Sequence, residues 1–169
     1  MTIEFTLNGR RVTAQADADA SLYQVLRALH IASVKCGCET TNCGLCTVHM
    51  DGRAVLSCSV PAARAQGHEI VTLEGLQEEA KALGGCLADE GAEQCGFCAP
   101  GLMMNVLALA RENPDASDAQ IDEYLAGNLC RCSGYMSQRR AIRRYLASLK
   151  EVRVCRLWAW ACARRTPWR

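Results

Sequence analysis

One cysteine-rich stretch constrains this chain more than any other part of its sequence. Four of its cysteines are separated by four, two and eleven residues, and they are Cys38, Cys43, Cys46 and Cys58. The first three lie on one short loop, so their thiolates converge only if that loop curls tightly around whatever they bind. Gly37 and Gly44 lie next to these cysteines, where a curled backbone needs freedom in φ. The stretch therefore predicts a metal centre wrapped by a loop.

The spacing also indicates which metal centre the loop holds. A C-x4-C-x2-C run with a distant fourth cysteine is the plant-type pattern for a [2Fe–2S] cluster. Structural zinc sites favour paired C-x2-C knuckles, which the four-residue gap fits poorly. Asp51-Gly52 predicts a hairpin turn that brings the chain, and with it Cys58, back toward the loop. We therefore expect these four cysteines to bind a first [2Fe–2S] cluster.

A second cysteine set lies in the C-terminal half of the chain. It consists of two close pairs, Cys95 with Cys98 and Cys130 with Cys132. Two helices are predicted between the pairs, and their return would bring the four thiolates together. The Cys95-x2-Cys98 pair alone is a generic zinc knuckle, whereas the C-x-C pair weighs against zinc. The residues by themselves leave both zinc and iron–sulfur open at this second set.

Hydrophobic periodicity changes near residues 73–77. Before this boundary the pattern has period two, and five strands are predicted, at 3–7, 10–14, 45–50, 53–60 and 68–73. One helix among them begins at a capping box formed by Ser21 and Gln24. After the boundary the period is 3.6, and four helices are predicted, near 76–87, 99–111, 117–126 and 137–149.

These elements predict an α+β fold with two domains. Two hairpins with a helix laid across them make a β-grasp domain over residues 1–74, like that of plant-type ferredoxins. The four later helices make a four-helix bundle domain over residues 75–150. The second of these helices, 99–111, is apolar nearly all round, which predicts a buried central position.

Composition and charge exclude several classes of partner. Twelve cysteines without a recognisable secretory signal favour metal ligands over disulfides, so a reducing, cytoplasmic location is expected. Residues 1–150 carry a net charge of −3 and no basic stripe, so no nucleic-acid partner is expected. No apolar run approaches the ~20 residues that span a membrane.

The C-terminal tail differs from the rest of the chain. Residues 151–169 carry a net charge of +4 and all three tryptophans. The tail could be a helix that docks on a partner, an interfacial membrane segment, or a reading-frame accident, and we assign it no role. Its two cysteines, Cys155 and Cys162, are not counted as ligands. Cys36, two residues before Cys38, could replace it as a ligand, but Cys36 and Cys86 are both expected to be thiols outside the ligand sets.

Three motifs together resemble a known family. CGCETTNCGLCTVHMDG at 36–52, QCGFCAPG at 94–101 and GNLCRCSGY at 127–135 closely resemble the iron–sulfur subunit of the molybdenum hydroxylases. That family includes xanthine dehydrogenases, aldehyde oxidoreductases and carbon monoxide dehydrogenases. The resemblance covers about residues 3–150. It implies one [2Fe–2S] cluster in each domain, with the second on Cys95, Cys98, Cys130 and Cys132.

The resemblance also implies partners and a role. Gln94 would hydrogen-bond a molybdopterin cofactor, and Cys132 would approach the pterin. A separate large subunit would bind the molybdopterin, and a third subunit would bind FAD. The chain would be a non-catalytic part of an oxidoreductase, relaying electrons during hydroxylation of a purine, aldehyde or similar substrate. The alternative is a stand-alone iron–sulfur carrier or redox sensor without a molybdenum partner.

Overall fold

A computed structural model describes residues 1–163 of the chain, with the side chains of residues 1–150. Within these residues a mixed sheet is followed by a helical half. The side chains of the Trp- and Arg-rich tail, including Cys155 and Cys162, lie outside the described residues. No helix in the described part is both long and apolar enough to cross a membrane.

The N-terminal half is built on a mixed sheet with a helix across it. The strands, in chain order, are β1 Thr2–Leu7, β2 Arg10–Gln15, β3 Thr47–Met50, β4 Arg53–Leu56 and β5 Glu69–Val71. Their spatial order is β2-β1-β5-β3-β4, in which only β1 and β5 are parallel among the strands described. Helix α1, Leu22–Ala28, buries Leu22, Val25 and Leu26 in the core of this half.

Local signals in the sequence are confirmed at the turns and at the start of α1. Asn8 and Gly9 have φ values of 50° and 78°, and Asp51 and Gly52 have 49° and 81°. Two successive positive φ angles are those of a type I′ hairpin turn. Ser21 accepts a hydrogen bond from the Gln24 backbone, and the Gln24 side chain accepts one from the Ser21 backbone, which completes the predicted capping box.

Two strands end earlier than the sequence pattern indicated. The strand predicted over 53–60 ends at Leu56, because Ser57–Ser59 forms a 3₁₀ turn. The Ser57 hydroxyl donates to the Cys46 carbonyl at 2.8 Å, which bends the chain toward the cysteine loop and brings Cys58 to it. The strand predicted over 68–73 ends at Val71, since a second 3₁₀ turn, Leu73–Gly75, starts the passage to the helices.

The helical half packs around its own apolar core. Its helices are α2 Gln77–Asp89, α3 Ala99–Glu112, α4 Asp118–Tyr124 and α5 Met136–Ala163. Ten of the fourteen α3 residues are buried, so the predicted central position is confirmed. The predicted end of the last helix at 149 is wrong. The helix continues to Ala163 because no glycine or proline follows Gly134 until Pro167.

The two halves meet where β3 and the cysteine loop lie against α3. A Cβ atom on Gly101 would lie 2.9 Å from the Leu45 Cα and closer still to the Gly44 carbonyl oxygen. Gly44 itself has a φ of +73°, and a Cβ there would lie 2.5 Å from the Gly127 oxygen. Glycine at both positions therefore lets the backbone of the cysteine loop touch the helical half.

Candidate iron–sulfur sites

The first cysteine set lies on the loop between α1 and β3 and on the 3₁₀ turn after β4. The thiols of Cys38 and Cys43 hydrogen-bond to each other, and so do those of Cys46 and Cys58. Cys58 also interacts electrostatically with Cys38 and Cys43. The structure therefore brings all four predicted cysteines together, as two pairs. Gly37, unlike Gly44, keeps an ordinary φ, and a Cβ on it would lie 3.0 Å from a Leu45 methyl carbon.

The thiols of the first set differ in pKa. Backbone N–H groups of Asn42 and Thr40 lower the pKa of Cys38 to about 6, against a smaller opposing effect of burial. Burial, then the Cys46 thiol, raises the pKa of Cys58 to about 12. Burial also raises the pKa of Cys43. Because a metal ligand must be a thiolate, metal binding here releases protons from the buried thiols.

The second cysteine set gathers at the starts of two helices. Cys98 is the N-cap of α3, and Cys130 and Cys132 shortly precede α5. The Cys132 and Cys95 sulfurs are 3.6 Å apart, and the Cys98 thiol hydrogen-bonds to Cys130. These four cysteines line one small cavity. The chain returns through α3 and α4, as the sequence predicted, and brings the two pairs together.

The donor chemistry of both sets fits a two-iron group. A tetrahedral metal with bonds of about 2.3 Å to sulfur holds two sulfurs about 3.8 Å apart. The 3.6 Å between Cys95 and Cys132 is close to that spacing. Each set presents two thiol pairs, and each pair can bind one iron of a [2Fe–2S] cluster.

Cys130 has the most developed hydrogen-bond environment of the second set. Its sulfur accepts from the Ser133 hydroxyl at 3.2 Å and from the Ser133 backbone N–H at 3.4 Å. Burial opposes ionisation, but these donors together outweigh it and lower the pKa of Cys130 to about 7. Sequence reasoning missed Ser133, although a hydroxyl one residue beyond a C-x-C pair is a recognisable signal.

Gln94 and Cys132 lie together on an exposed face beside the second set. The Gln94 side-chain amide donates to the Cys132 carbonyl at 3.0 Å. Four of the five exposed large apolar side chains in the described part of the chain lie near these residues in sequence, and they are Phe97, Leu129, Tyr135 and Met136. Lys35, from the first cysteine loop, places its ammonium 5.0 Å from the centre of the Phe97 ring.

The remaining described cysteines are free thiols outside both sets. Cys36 is exposed, and its thiol donates to the Cys38 carbonyl at 3.1 Å. Cys86 lies within α2, half-buried against the helical core, and burial raises its pKa.

One backbone hydrogen bond links the two sites directly. The Leu129 N–H donates to the Cys43 carbonyl at 3.0 Å. Leu129 is covalently joined to Cys130, so a residue of the first set and a residue of the second are separated by a single hydrogen bond and a few covalent bonds. Both sets also line a shared surface groove that includes Cys43, Leu45, Cys98 and Leu129.

Comparison with known proteins identifies the family. Residues 5–73 match the 2Fe-2S iron-sulfur cluster binding domain, and residues 72–143 match the [2Fe-2S] binding domain. The nicotinate dehydrogenase small FeS subunit of Eubacterium barkeri is 39% identical over 146 residues, which are 85% of this chain and 93% of that protein. The xanthine dehydrogenase iron-sulfur-binding subunit of Escherichia coli O157:H7 is 48% identical over 145 residues, covering 80% and 87%. This chain belongs to the iron–sulfur subunits of the molybdenum hydroxylases.

A solved structure of a molybdenum hydroxylase supports the same assignment. A chain of quinoline 2-oxidoreductase from Pseudomonas putida 86 superimposes with a TM-score of 0.81 and 36% identity, covering 88% of this chain and 94% of that chain. The predicted family is therefore confirmed, and with it the coarse fold of a mixed sheet followed by helices. As a member of this family, the chain is part of an oxidoreductase with [2Fe–2S]-binding domains.

Proposed function

We propose that this chain is an electron-transfer subunit holding two [2Fe–2S] clusters. Its β-grasp domain, residues 1–74, would bind the first cluster through Cys38, Cys43, Cys46 and Cys58. Its second domain, residues 75–150, would be a four-helix bundle that binds the other through Cys95, Cys98, Cys130 and Cys132. Electrons would pass from a molybdopterin site on a large subunit, through the chain, to an FAD subunit or another acceptor.

The hydrogen bond from Leu129 to Cys43 is the observation that carries this proposal. Electron transfer between two centres needs a short path through bonded atoms, and this contact supplies one between the two cysteine sets. Gly44 and Gly101 make the contact possible, because a side chain at either position would push the two backbones apart.

When bound, each cluster accepts and releases one electron at a time. The chain's own residues then have three tasks, which are to hold the cluster, exclude water and stabilise negative charge. The cysteine pairs perform the first. Leu45, Leu102 and Leu87 lie buried around the sites and perform the second. Backbone and hydroxyl donors such as Asn42 and Ser133 perform the third.

The exposed face around Gln94 and Cys132 is the proposed contact with the large subunit. Exposed apolar side chains next to a redox site favour burial against a partner. Gln94 and Cys132 share a hydrogen bond on this face, which supports their joint role in contacting molybdopterin. The proposed location is the cytoplasm, where free thiols remain reduced until they bind iron. The substrate would be chosen by the large subunit, with a purine, an aldehyde or a similar molecule as candidates.

The test is metal analysis with EPR on anaerobically purified chain. We expect about four irons per chain and two distinguishable [2Fe–2S] signals after reduction. Replacing Cys130 with serine should remove one signal and leave the other, whereas the matched Cys36→Ser variant should keep both. About two irons, with zinc making up the difference, would contradict the proposal, because the helical half would then be a structural metal domain. Co-purification with a molybdopterin-binding chain would distinguish the relay from a stand-alone carrier.

A further inference from the structure

Among the buried polar side chains of the described residues, Gln138 differs from the others because its side chain makes no hydrogen bond to another residue in that part of the chain. The others all hydrogen-bond within the protein, and they are Thr47, His49, Ser57, Thr72 and Asn128. Gln138 is only 5% exposed. Its amide atoms are nevertheless not fully buried, so they face open space in a cavity rather than protein. The amide is therefore free to bind a partner that is not protein.

The position of Gln138 points to what that partner is. Gln138 lines the same small cavity as the four cysteines of the second set. It lies in the first turn of α5, whose N-terminal end carries partial positive charge. A negatively charged group in this cavity would thus meet both the helix end and an uncommitted N–H donor.

Two other side-chain donors near this cavity are already engaged. The Gln94 amide donates to the Cys132 carbonyl, and Ser133 donates to the Cys130 sulfur. A bound cluster brings bridging sulfides and thiolate sulfurs into the cavity, and these are hydrogen-bond acceptors. Gln138 is the amide that lines this cavity and remains available to them.

We propose that the Gln138 side-chain amide donates a hydrogen bond to a sulfur of the second cluster and raises its reduction potential. This rests on the proposed function, because it requires a [2Fe–2S] cluster on Cys95, Cys98, Cys130 and Cys132. Reduction adds negative charge to the cluster, and an N–H donor stabilises the more negative state. Gln138 is thus a positioning and tuning residue for the cofactor, and it takes no part in catalysis.

A sequence signal for this residue exists in α5. Ile142 and Tyr145 follow Gln138 at i+4 and i+7, and both are buried in the helical core. A glutamine on an otherwise apolar stripe contradicts the binary pattern of a helix. Such a contradiction in a packed helix marks a position with a specific polar partner.

The test is an EPR-monitored redox titration of the cluster-loaded full chain. Gln138→Met keeps the length and unbranched shape of the side chain but removes the donor. We expect the second cluster to become about tenfold harder to reduce, which is 59 mV for a one-electron couple. Gln138→Glu should lower the potential further, because it adds a negative charge as well. The first cluster should keep its potential in both variants, and both clusters should keep theirs in the Ser137→Ala control.

The outcomes separate this inference from the proposed function. An unchanged potential of the second cluster in Gln138→Met would overturn the inference. The amide would then hydrogen-bond to water in the neighbouring cavity between α4 and α5. An equal shift of both clusters would also overturn it, because the variant would then act through the whole fold. Absence of a second [2Fe–2S] signal from the wild-type chain would contradict the proposed function itself. If Gln138→Met does not fold, the potentials of Gln138→Glu decide. A fall confined to the second cluster supports the inference. An equal fall in both clusters overturns it, because the added charge would then act only from a distance.

Discussion

Single residues set the chemistry of each thiol more than the cysteine spacing does. Cys38 and Cys130 have lowered pKa values because backbone or hydroxyl donors reach their sulfurs. Cys58 and Cys98 have raised values, with burial as the largest cause. Each set therefore contains thiols that ionise readily and thiols that ionise only when a metal binds, so loading should start at Cys38 and Cys130.

Removing the Ser133 hydroxyl should weaken the charge stabilisation at Cys130. In Ser133→Ala the sulfur loses its contact at 3.2 Å but keeps the backbone donor. We expect the second cluster's potential to fall by about 20 to 60 mV, the equivalent of one modest hydrogen bond. Redox titration measures this, and Ser133→Thr, which retains a hydroxyl, should restore most of the loss. Equal potentials for the alanine variant and the wild type would show that the hydroxyl does not act on the cluster.

At the scale of elements, α3 is the one that connects the two halves. Its N-cap is Cys98, its Gly101 touches the first cysteine loop, and its Met104 carbonyl receives a hydrogen bond from β3. Its sequence is apolar nearly all round because it faces the helical core on one side and the sheet half on the other.

A methyl group on Gly101 should disturb both halves. In Gly101→Ala the new Cβ meets backbone atoms of Gly44 and Leu45, which cannot rotate away as a side chain can. We expect a loss of about 1 to 3 kcal/mol of stability, together with weaker cluster loading at the first site. Gly85→Ala is the matched control, because Gly85 lies within α2 with nothing within 4 Å of its Cβ position. That control should gain up to about 1 kcal/mol from helix propensity. Thermal unfolding measures the melting temperature of both variants, and equal changes from the wild type would refute the steric argument.

At the scale of the whole molecule, His49 joins the sheet to the helical half. Its ring is fully buried, with Nε2 donating to the Met104 carbonyl at 2.7 Å. Arg111 donates to Nδ1 at 3.3 Å, so the ring must be neutral. Burial and then the Arg111 charge lower its pKa below 6.5, outweighing the Met104 carbonyl and Glu112, which raise it.

This contact should make stability depend on pH. Below about pH 6.5 the His49 ring of the unfolded chain takes up a proton. The ring of the native chain takes it up only at a lower pH, because its pKa is lowered by folding. The stability from the neutral ring is therefore fully present above about pH 6.5 and is lost as the pH falls from there through the lower pKa of the native chain. We expect the melting temperature to drop by about 2 to 4 °C more in the wild type than in His49→Gln between about pH 7.5 and about pH 5.5. The exposed His30→Gln control should behave as the wild type does, and parallel pH profiles for wild type and His49→Gln would contradict the assignment.

Much of the fold could be predicted because its signals are local. Asn8-Gly9, Asp51-Gly52 and the Ser21 capping box each act within four residues, so the sequence pattern identifies them directly. The strand ends at Leu56 and Val71 could not be predicted in the same way. The first depends on where the chain turns back toward the cysteine loop, and the second on where it leaves the sheet for the helices. The alternating pattern of a strand does not show where either turn falls.

The sequence by itself determined the two cysteine sets and the order of sheet and helices, because spacing and periodicity are properties of neighbouring residues. The family came from the resemblance of three motifs to known proteins. Only the tertiary structure decided how the thiols pair, that Cys43 and Leu129 connect the two sites, and that Gln138 lies unpaired beside the second set. These depend on contacts between residues far apart in the chain. Such contacts form only when each half has packed its own core and the two halves have closed on each other.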